Sequence, residues 1–248
     1  MDLDPPAVTV FNERGASPVV LLCEHASNFM PARYNRLGLT EADLQRHIAY
    51  DIGALTMARR MAVLLDAPLI ASGYSRLLID CNRPQAAPSL IPIRSEATDI
   101  PGNIGLSAEE RAERDRLYFA PFRERVSAML DARLAAGQRT VLIGVHSFTP
   151  VYLGVARVWQ AGVLYLQARA FGHALIEALR TQNPALTIGD NDPYTVTLEG
   201  DYTVPWQGDC RGIPTALFEV RQDLIETDAG AEAWGGTLAA AVAAAVAT

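Results

Sequence analysis

The chain has 248 residues, of which 50% are hydrophobic and 20% charged, and this composition suits an α/β fold with an ample core. The formal net charge is −7, and the 21 basic residues, all arginines, form no cluster, which argues against a nucleic-acid-binding protein. The longest apolar run, residues 238–247, is too short to span a bilayer, so we expect no membrane segment.

Strands and helices alternate along the first part of the chain. The apolar run PVVLLC, residues 18–23, predicts a strand, and further strands are predicted over residues 68–71 and 77–80. Between them, Thr40 followed by Asp43 is typical of a capping box. We therefore predict one helix from Thr40 to about residue 65, whose apolar residues recur at helical spacing.

The second part of the chain continues the alternation. Ser107 and Glu110 form another capping pair, which predicts a long helix to Gly137, with a kink at Pro121. The run TVLIGVHSF, residues 140–148, is the most strand-like in the chain. The remaining apolar patterns predict strands over residues 161–166 and 215–225 and helices over residues 168–182 and 229–246.

Strands separated by helices of this length predict an α/β fold. We expect a single domain over residues 1–248, with a mostly parallel or mixed central sheet and helices on both faces. In such sheets, ligands bind beyond the carboxyl ends of the strands. Two connections, residues 84–106 and 189–212, are long and rich in Pro, Gly and polar residues, so we expect them to be functional or mobile.

Polar side chains, most of them ionisable, lie at the carboxyl ends of four of the predicted strands. These side chains are Glu24 and His25, then Asp80, Asn82 and Arg83, then His146 and Ser147, and finally Glu219, Arg221 and Asp223. Two histidines that close different strands, with carboxylates nearby, fit a catalytic zinc site, which takes about three protein ligands. The other two histidines, His47 and His173, lie on predicted helices and are expected to be structural.

The cysteines and the first residues bear on the compartment. Cys23, Cys81 and Cys210 are widely spaced and form no CxxC pair, which is typical of a reducing compartment without a disulfide framework. The opening stretch MDLDPPAVTVFNERG has early acids and lacks the apolar segment of a signal peptide. We therefore expect a soluble cytoplasmic protein.

Five motifs carry a resemblance to a known family. Residues 19–225 resemble the N-formylglutamate amidohydrolase family at five stretches, which are, in chain order, LLCEHASNFMP, DIGA, GYSRLLIDCNRP, VHSFTP and FEVRQDLI. The resemblance implies a phosphorylase/hydrolase-like sheet, similar to that of zinc carboxypeptidases and aspartoacylase. It also implies zinc-dependent hydrolysis of the small molecule N-formyl-L-glutamate to formate and glutamate, late in histidine degradation.

The resemblance also assigns the metal site, with one zinc ion per chain. His25 and His146 are implied as ligands, and Asp51, in YDIGA, is the preferred third ligand because the family motif carries it. Glu24 is an alternative. Asn28 is another, because it stands where relatives in the wider fold carry the glutamate of a His-x-x-Glu pair.

The stretch from Asp80 to Arg83 resembles the D-L-N-R stretch of aspartoacylase, whose Asn and Arg hold the substrate's α-carboxylate. Asn82 and Arg83 are thus implied as substrate-binding residues, and an arginine fork suits a carboxylate. We assign Ser147, in VHSFTP, to the substrate as well. Asp80 is expected to orient an arginine or a ligand histidine.

Two residues are implied as catalytic. Arg76 matches an arginine that polarises the scissile carbonyl, and a plain ion pair is the alternative. Glu219 matches the general base and proton donor, and its place in an apolar strand predicts a raised pKa. A buried pair with Arg221, on the same face of the strand, is the alternative for Glu219.

The sequence departs from the type enzyme at two places. It reads CEHAS where the type enzyme has PHSG, and DYTVPWQGDCRG lacks a histidine expected before RG. Two alternatives therefore stay open. One is a zinc amidase or carboxypeptidase for another acyl-amino acid or a small peptide, and the other is a metal-free carboxylate-binding protein that has lost catalysis.

Overall fold

The computed structural model describes residues 4–247, which fold around a mixed seven-stranded sheet. The strands are β1 (Val8–Phe11), β2 (Val19–Cys23), β3 (Leu69–Ser72), β4 (Arg94–Ser95), β5 (Thr98–Asp99), β6 (Val141–Phe148), β7 (Val151–Tyr152), β8 (Val155–Ala156), β9 (Ala161–Leu164), β10 (Ile188–Asp190) and β11 (Thr215–Arg221). The α-helices are α1 (Glu41–Leu44), α2 (Ala54–Leu65), α3 (Ala108–Arg114), α4 (Ala120–Ala135), α5 (Arg169–Gln182) and α6 (Asp228–Ala247).

The sheet has the strand order β1-β3-β2-β6-β11-β9-β10. Its centre, from β3 through β2 and β6 to β11, is parallel. At the edges, β1 pairs antiparallel with β3, and β9 pairs antiparallel with β11 and parallel with β10. The predicted α/β fold with a mostly parallel or mixed sheet is therefore confirmed. The short edge strands β1 and β10 were not predicted.

Helices and loops cover both faces of the sheet. Every residue of β2 is buried. Val19, Leu21 and Cys23 pack into the cluster that contains α2, α5 and α6, whereas Val20 and Leu22 pack into the cluster that contains α4. A strand that is covered on both faces needs apolar side chains at every position, which explains the run VVLLC.

The C-terminal helix α6 begins before the apolar run 238–247 on which the sequence prediction rests. By length and composition alone, it is the one helix in the described part of the chain that could cross a membrane. However, Leu238, Ala241 and Val242 are buried, and α6 packs against α2 and α5. A core helix passes the same test of length and hydropathy, so α6 gives only weak evidence for a membrane span.

The single helix predicted over residues 40–65 is wrong, because α1 and α2 are separate. Gly53 caps α2 with a φ of 78°, and a Cβ at this position would lie 2.1 Å from the Ile225 carbonyl oxygen. Only glycine fits such a contact at positive φ. The break places Asp51 in a loop, where its backbone N–H donates to the His25 carbonyl at 3.0 Å.

The helix predicted over residues 107–137 is interrupted by a wide turn. Its capping box of Ser107 and Glu110 forms as expected. Between α3 and α4 lies a π-helical turn, Asp115–Phe119, just before Pro121. Since proline has no N–H to donate and its ring crowds the preceding turn, a widened turn here accommodates it.

The strand predicted over residues 77–80 is wrong, although the segment is buried. The Leu77 carbonyl accepts from Asn103 Nδ2 at 2.8 Å, and the Leu78 carbonyl accepts from Arg114 Nη1 at 3.1 Å. Asn103 and Arg114 are themselves buried, and Arg114 Nη1 donates to Asn103 Oδ1 at 2.7 Å. Two side chains thus satisfy the backbone that a neighbouring strand would otherwise pair.

Replacing Asn103 with alanine should lower the free energy of unfolding by about 1–3 kcal/mol, because it leaves the Leu77 carbonyl and an Arg114 N–H buried without a partner. Denaturant unfolding measures this loss. Gln138→Ala removes an amide from an exposed position and should change stability by less than about 0.5 kcal/mol. Equal stability of Asn103→Ala and wild type would contradict this role for the amide.

Candidate metal centre and substrate cleft

A cleft of about 550 Å³ lies at the carboxyl ends of β2, β6 and β11. This edge of a parallel sheet is where ligands bind in α/β folds. The residues that the sequence assigns to metal, substrate and catalysis all line it, namely His25, Asp51, Arg76, Asn82, Arg83, His146, Ser147 and Glu219. The fold therefore brings together side chains that are far apart in the chain.

Three buried side chains at this cleft bring their donor atoms together. Asp51 Oδ2 lies 2.8 Å from His146 Nδ1 and 3.2 Å from His25 Nδ1, and the two Nδ1 atoms are 3.2 Å apart. With Zn–N bonds of about 2.0–2.1 Å, ligands of one tetrahedral Zn²⁺ ion lie about 3.3 Å apart. The donor types and their separations therefore fit one divalent ion.

Each histidine of this cluster has a carboxylate beside its other nitrogen. His25 Nε2 lies 2.7 Å from Asp80 Oδ1, and His146 Nε2 lies 3.1 Å from Glu24 Oε2. All four side chains are buried. A carboxylate in this position fixes the ring and makes the ring a better donor toward a metal.

The other two candidates for a third ligand lie outside the cluster. Glu24 contacts the Nε2 side of His146, and its second oxygen accepts from the Thr203 hydroxyl. The Asn28 amide donates to a backbone carbonyl of α1 at 2.9 Å. Of the three candidates, the Asp51 carboxylate is the one that lies beside both Nδ1 atoms.

Ion pairing sets the charge of the cluster. Burial alone would lower the pKa of His146, but the carboxylates of Glu24 and Asp51 outweigh burial and raise it well above its usual range. Burial alone would raise the pKa of Asp80, but the Arg76 guanidinium holds it well below its usual range. A metal ion that binds here must therefore displace a proton from His146.

Glu219 faces the cluster from the neighbouring strand, where the register of β11 and β6 pairs it with His146. Its Oε2 atom is buried and has no hydrogen-bond partner among residues 4–247. Burial raises the pKa of Glu219 to about 7, a value that lets a carboxyl group accept and return a proton near neutral pH. Arg221, the alternative partner, donates to Asp223 at 2.8 Å instead.

Arg76 connects the carboxylates of the site. Its Nε and Nη2 donate to Asp80 Oδ2 at 3.1 and 2.7 Å, and its Nη1 donates to Asp51 Oδ1 at 3.3 Å. Burial would lower the pKa of Arg76, but these two carboxylates raise it. Arg76 therefore forms the ion pairs that were the alternative to a catalytic role. Its Nη1 and Nη2 atoms each keep one further N–H group that can donate to a substrate.

Asn82 and Arg83 are fixed at the cleft by the 189–212 connection. Asn82 Oδ1 accepts from the backbone N–H groups of residues 202–203, at 3.2 and 2.9 Å. Its Nδ2 group has no acceptor in the part of the chain that the structure describes. Arg83 Nη1 donates to the Gly200 carbonyl and to Asp201 Oδ1, the latter at 3.3 Å. An amide donor and a guanidinium are thus held side by side.

Comparison with known proteins identifies the family: the N-formylglutamate amidohydrolase family matches residues 17–226. The chain belongs to this family. A solved structure of a gene product from Agrobacterium tumefaciens is similar at 36% sequence identity and a TM-score of 0.95, covering 100% of this chain and 97% of that one. An N-formylglutamate amidohydrolase from Ralstonia eutropha shares the fold at 17% identity and a TM-score of 0.72, over 99% of this chain and 98% of that one. No match was found among curated proteins.

The two long connections of this N-formylglutamate amidohydrolase family member supply further cleft residues. Residues 84–106 contribute Glu96, and residues 189–212 contribute Tyr194 and Asp201. The length of these connections predicted a functional role, but no sequence pattern singled out these three side chains.

Two more polar residues of the family member's cleft contact the site. His47, expected to be structural, lines the cleft with its Nε2 atom 3.3 Å from Glu96 Oε2. The Ser147 hydroxyl donates to the Ile52 carbonyl at 2.8 Å, and its backbone N–H donates to Asp51 Oδ2 at 3.3 Å. Ser147 therefore holds the loop that carries Asp51, and its hydroxyl oxygen can still accept a hydrogen bond.

Proposed function

We propose that the protein hydrolyses the amide bond of an N-formyl or N-acyl amino acid. N-formyl-L-glutamate is the first candidate, with formate and glutamate as products. One observation carries this proposal: a buried cluster of His25, Asp51 and His146 lies beside Glu219 in a member of the N-formylglutamate amidohydrolase family. We also propose that this cluster holds one Zn²⁺ ion per chain.

The donor set favours Zn²⁺, because two imidazoles and one carboxylate are typical ligands of a catalytic zinc. When bound, Zn²⁺ supplies a Lewis acid for the carbonyl and lowers the pKa of coordinated water to about 7. Asp80 and Glu24 keep the rings of His25 and His146 in place through their Nε2 atoms.

In this proposal Glu219 is the general base and then the general acid. Its unpartnered oxygen takes a proton from the attacking water and later delivers a proton to the amide nitrogen, so that the C–N bond breaks and a free amine leaves. The raised pKa of Glu219 suits both halves of this transfer. The remaining N–H groups of Arg76 would help to polarise the scissile carbonyl.

Asn82 and Arg83 are proposed to bind the α-carboxylate of the substrate. The Asn82 Nδ2 group and the Arg83 guanidinium both line the cleft, and a guanidinium beside an amide donor suits a carboxylate. The hydroxyl oxygen of Ser147 could accept from a substrate N–H group, since its own proton is donated to Ile52.

Arg83→Ala should lower kcat/KM by about 30-fold to several-thousand-fold, since truncating one partner of a charged pair that the bound substrate covers costs about 2–5 kcal/mol. Arg83→Lys should recover only part of this loss, because lysine keeps the charge without the fork. The wild type should also hydrolyse the α-amide of its substrate poorly, whereas Arg83→Ala should discriminate little between acid and amide. Equal turnover of acid and amide by the wild type would contradict this carboxylate-binding role.

A substrate panel tests the proposed function. Zinc-loaded protein is assayed with N-formyl-L-glutamate, N-formyl-L-aspartate, N-acetyl-L-glutamate and a dipeptide, by release of formate or of the free amine. Preference for N-formyl-L-glutamate supports the proposal. Preference for an acetylated amino acid or the dipeptide indicates a different amidase or carboxypeptidase. Binding without turnover of any compound indicates a carboxylate-binding protein that has lost catalysis.

We further propose a cytoplasmic role in amino-acid catabolism, as a step of histidine degradation. The three cysteines are free, which supports a reducing compartment. In this proposal residues 1–248 act as one domain on a small molecule, with no nucleic-acid or membrane partner.

A further inference from the structure

Tyr194 lies in the 189–212 connection and lines the cleft, but none of the metal, substrate or proton-transfer roles involves it. The same cleft is lined by the carboxylates of Glu219 and Asp51 and by the Arg76 guanidinium. Tyr194 therefore shares the cleft with the candidate metal centre, on a wall that the sequence did not predict.

The position of this hydroxyl is fixed by Arg157, which follows the β7–β8 hairpin. Arg157 Nη1 donates to Tyr194 Oη at 2.8 Å and to the Thr149 carbonyl at 3.4 Å. The guanidinium carbon lies 4.7, 4.8 and 5.6 Å from the ring centroids of Tyr194, Tyr152 and Phe148. A cation held over three rings and against a carbonyl has little freedom to move.

The contact with Arg157 decides what the Tyr194 hydroxyl can do. A guanidinium only donates, so the phenol oxygen is the acceptor in this pair and its proton must go elsewhere. Among residues 4–247 the hydroxyl donates to no partner. The ordinary pKa of a tyrosine hydroxyl is about 10, so the Tyr194 hydroxyl keeps its proton at neutral pH.

Hydrogen-bond donors at the carbonyl oxygen accelerate the hydrolysis of an amide, because negative charge develops there in the transition state. Arg76 is the donor that the sequence predicts, but its Nε, Nη1 and Nη2 atoms each already donate to Asp51 or Asp80. A neutral phenol with a free proton can supply a further donor without adding charge to the site.

We propose that Tyr194 is a further catalytic residue, whose hydroxyl donates a hydrogen bond to the carbonyl oxygen of the scissile amide, and that Arg157 is its positioning residue. This role rests on the proposed function, because it requires an amide substrate. No bond forms or breaks at Tyr194, and its proton stays on the phenol oxygen throughout the reaction.

Tyr194→Phe removes only the hydroxyl and tests this role directly. Loss of one preorganised donor to an oxyanion lowers kcat by about 10²-fold, and KM should change little. Tyr165→Phe is the matched control, because its hydroxyl donates to Asp190 at 2.6 Å outside the cleft. This control should keep wild-type kcat and KM.

A second readout does not depend on turnover. A phosphonamidate analogue of the formyl-amino acid carries a charged tetrahedral oxygen where the reaction develops one, whereas L-glutamate does not. By calorimetry, Tyr194→Phe should bind the analogue about 10²-fold more weakly than the wild type, in parallel with the loss of kcat, and should bind L-glutamate equally well.

The role of Arg157 is tested by a double-mutant cycle. Arg157→Met should lower kcat when Tyr194 is present but have little further effect in Tyr194→Phe, because the two residues act as one unit. A merely structural Arg157 would lower kcat equally in both backgrounds, which would overturn its positioning role.

The outcomes separate this inference from the proposed function. Wild-type activity on an N-formyl or N-acyl amino acid with unchanged kcat and unchanged analogue affinity in Tyr194→Phe overturns the role of Tyr194 alone. A wild type that hydrolyses no member of the panel refutes the proposed function, and the role of Tyr194 with it.

Discussion

His146→Ala should yield a folded protein that lacks the proposed zinc ion and, with it, the proposed hydrolytic activity. The substitution removes one of the three donor atoms that lie within 3.2 Å of each other, and the two that remain are too few for a tight catalytic zinc site. His25→Ala should behave in the same way. Metal content after dialysis, measured by elemental analysis against about one zinc per chain for the wild type, checks both variants.

The carboxylates behind the histidines predict a graded effect. Asp80→Asn and Glu24→Gln leave all three donors in place and should weaken metal affinity by only about 10–100-fold. Asp51→Ala should instead match the histidine variants, which distinguishes it from Glu24 as the third ligand. His173→Ala, at a side chain that is 45% exposed, is the control and should keep its metal. A tight, stoichiometric zinc in His146→Ala would remove His146 from the site.

The approximate place of the site could be predicted from the sequence because strand ends are local signals. A polar residue that interrupts an apolar run, as His25, His146 and Glu219 do, marks the carboxyl-terminal part of a strand. Parallel pairing of β2, β6 and β11 then brings those points to one edge. No side-chain contact had to be known for this step.

The segment 77–80 could not be predicted in the same way. Its apolar residues report burial, and burial is common to a strand and to a packed turn. The difference lies in the donors to its carbonyls, which are Asn103 and Arg114 in distant parts of the chain. The placement of Asn82 and Arg83 at a strand end was therefore wrong, but their assignment to the substrate came from the resemblance to aspartoacylase, and both residues line the cleft.

The sequence does contain a local signal for the break before α2, namely Gly53, but the helical spacing of the apolar residues favoured one continuous helix. Gly53 has a positive φ and lies against the Ile225 carbonyl. A glycine inside a predicted helix can mark a boundary between two helices, because it adopts positive φ without strain. The break matters for function because it puts Asp51 in a loop, where its side chain can reach both histidines.

Tyr194 and Arg157 illustrate what sequence patterns leave out. Both lie outside the main sheet, in stretches without helical or strand periodicity, and their contact joins positions 37 residues apart. The fold is needed to see that Arg157 donates to the Tyr194 oxygen and thereby leaves the hydroxyl proton of Tyr194 free to bind another acceptor.

Glu219→Gln should lower kcat by about 10²–10⁴-fold, the usual contribution of a general acid–base group, while the protein keeps its metal. The amide is nearly isosteric with the carboxyl group but cannot take a proton from water and return it to the leaving amine. Because burial raises the pKa of Glu219 to about 7, the carboxylate form costs more in this position than a neutral amide does. The variant should therefore unfold at the wild-type temperature or above when both proteins are metal-free.

These three measurements together assign the role. Lower kcat with unchanged zinc content and undiminished thermal stability means that only proton transfer has been lost. Glu232→Gln, at an exposed position of α6, is the matched control and should leave all three unchanged. Loss of zinc in Glu219→Gln would instead place Glu219 among the ligands. Wild-type kcat in the variant would show that another group transfers the proton, and Glu24 would be tested next because its carboxylate contacts His146 from the other side.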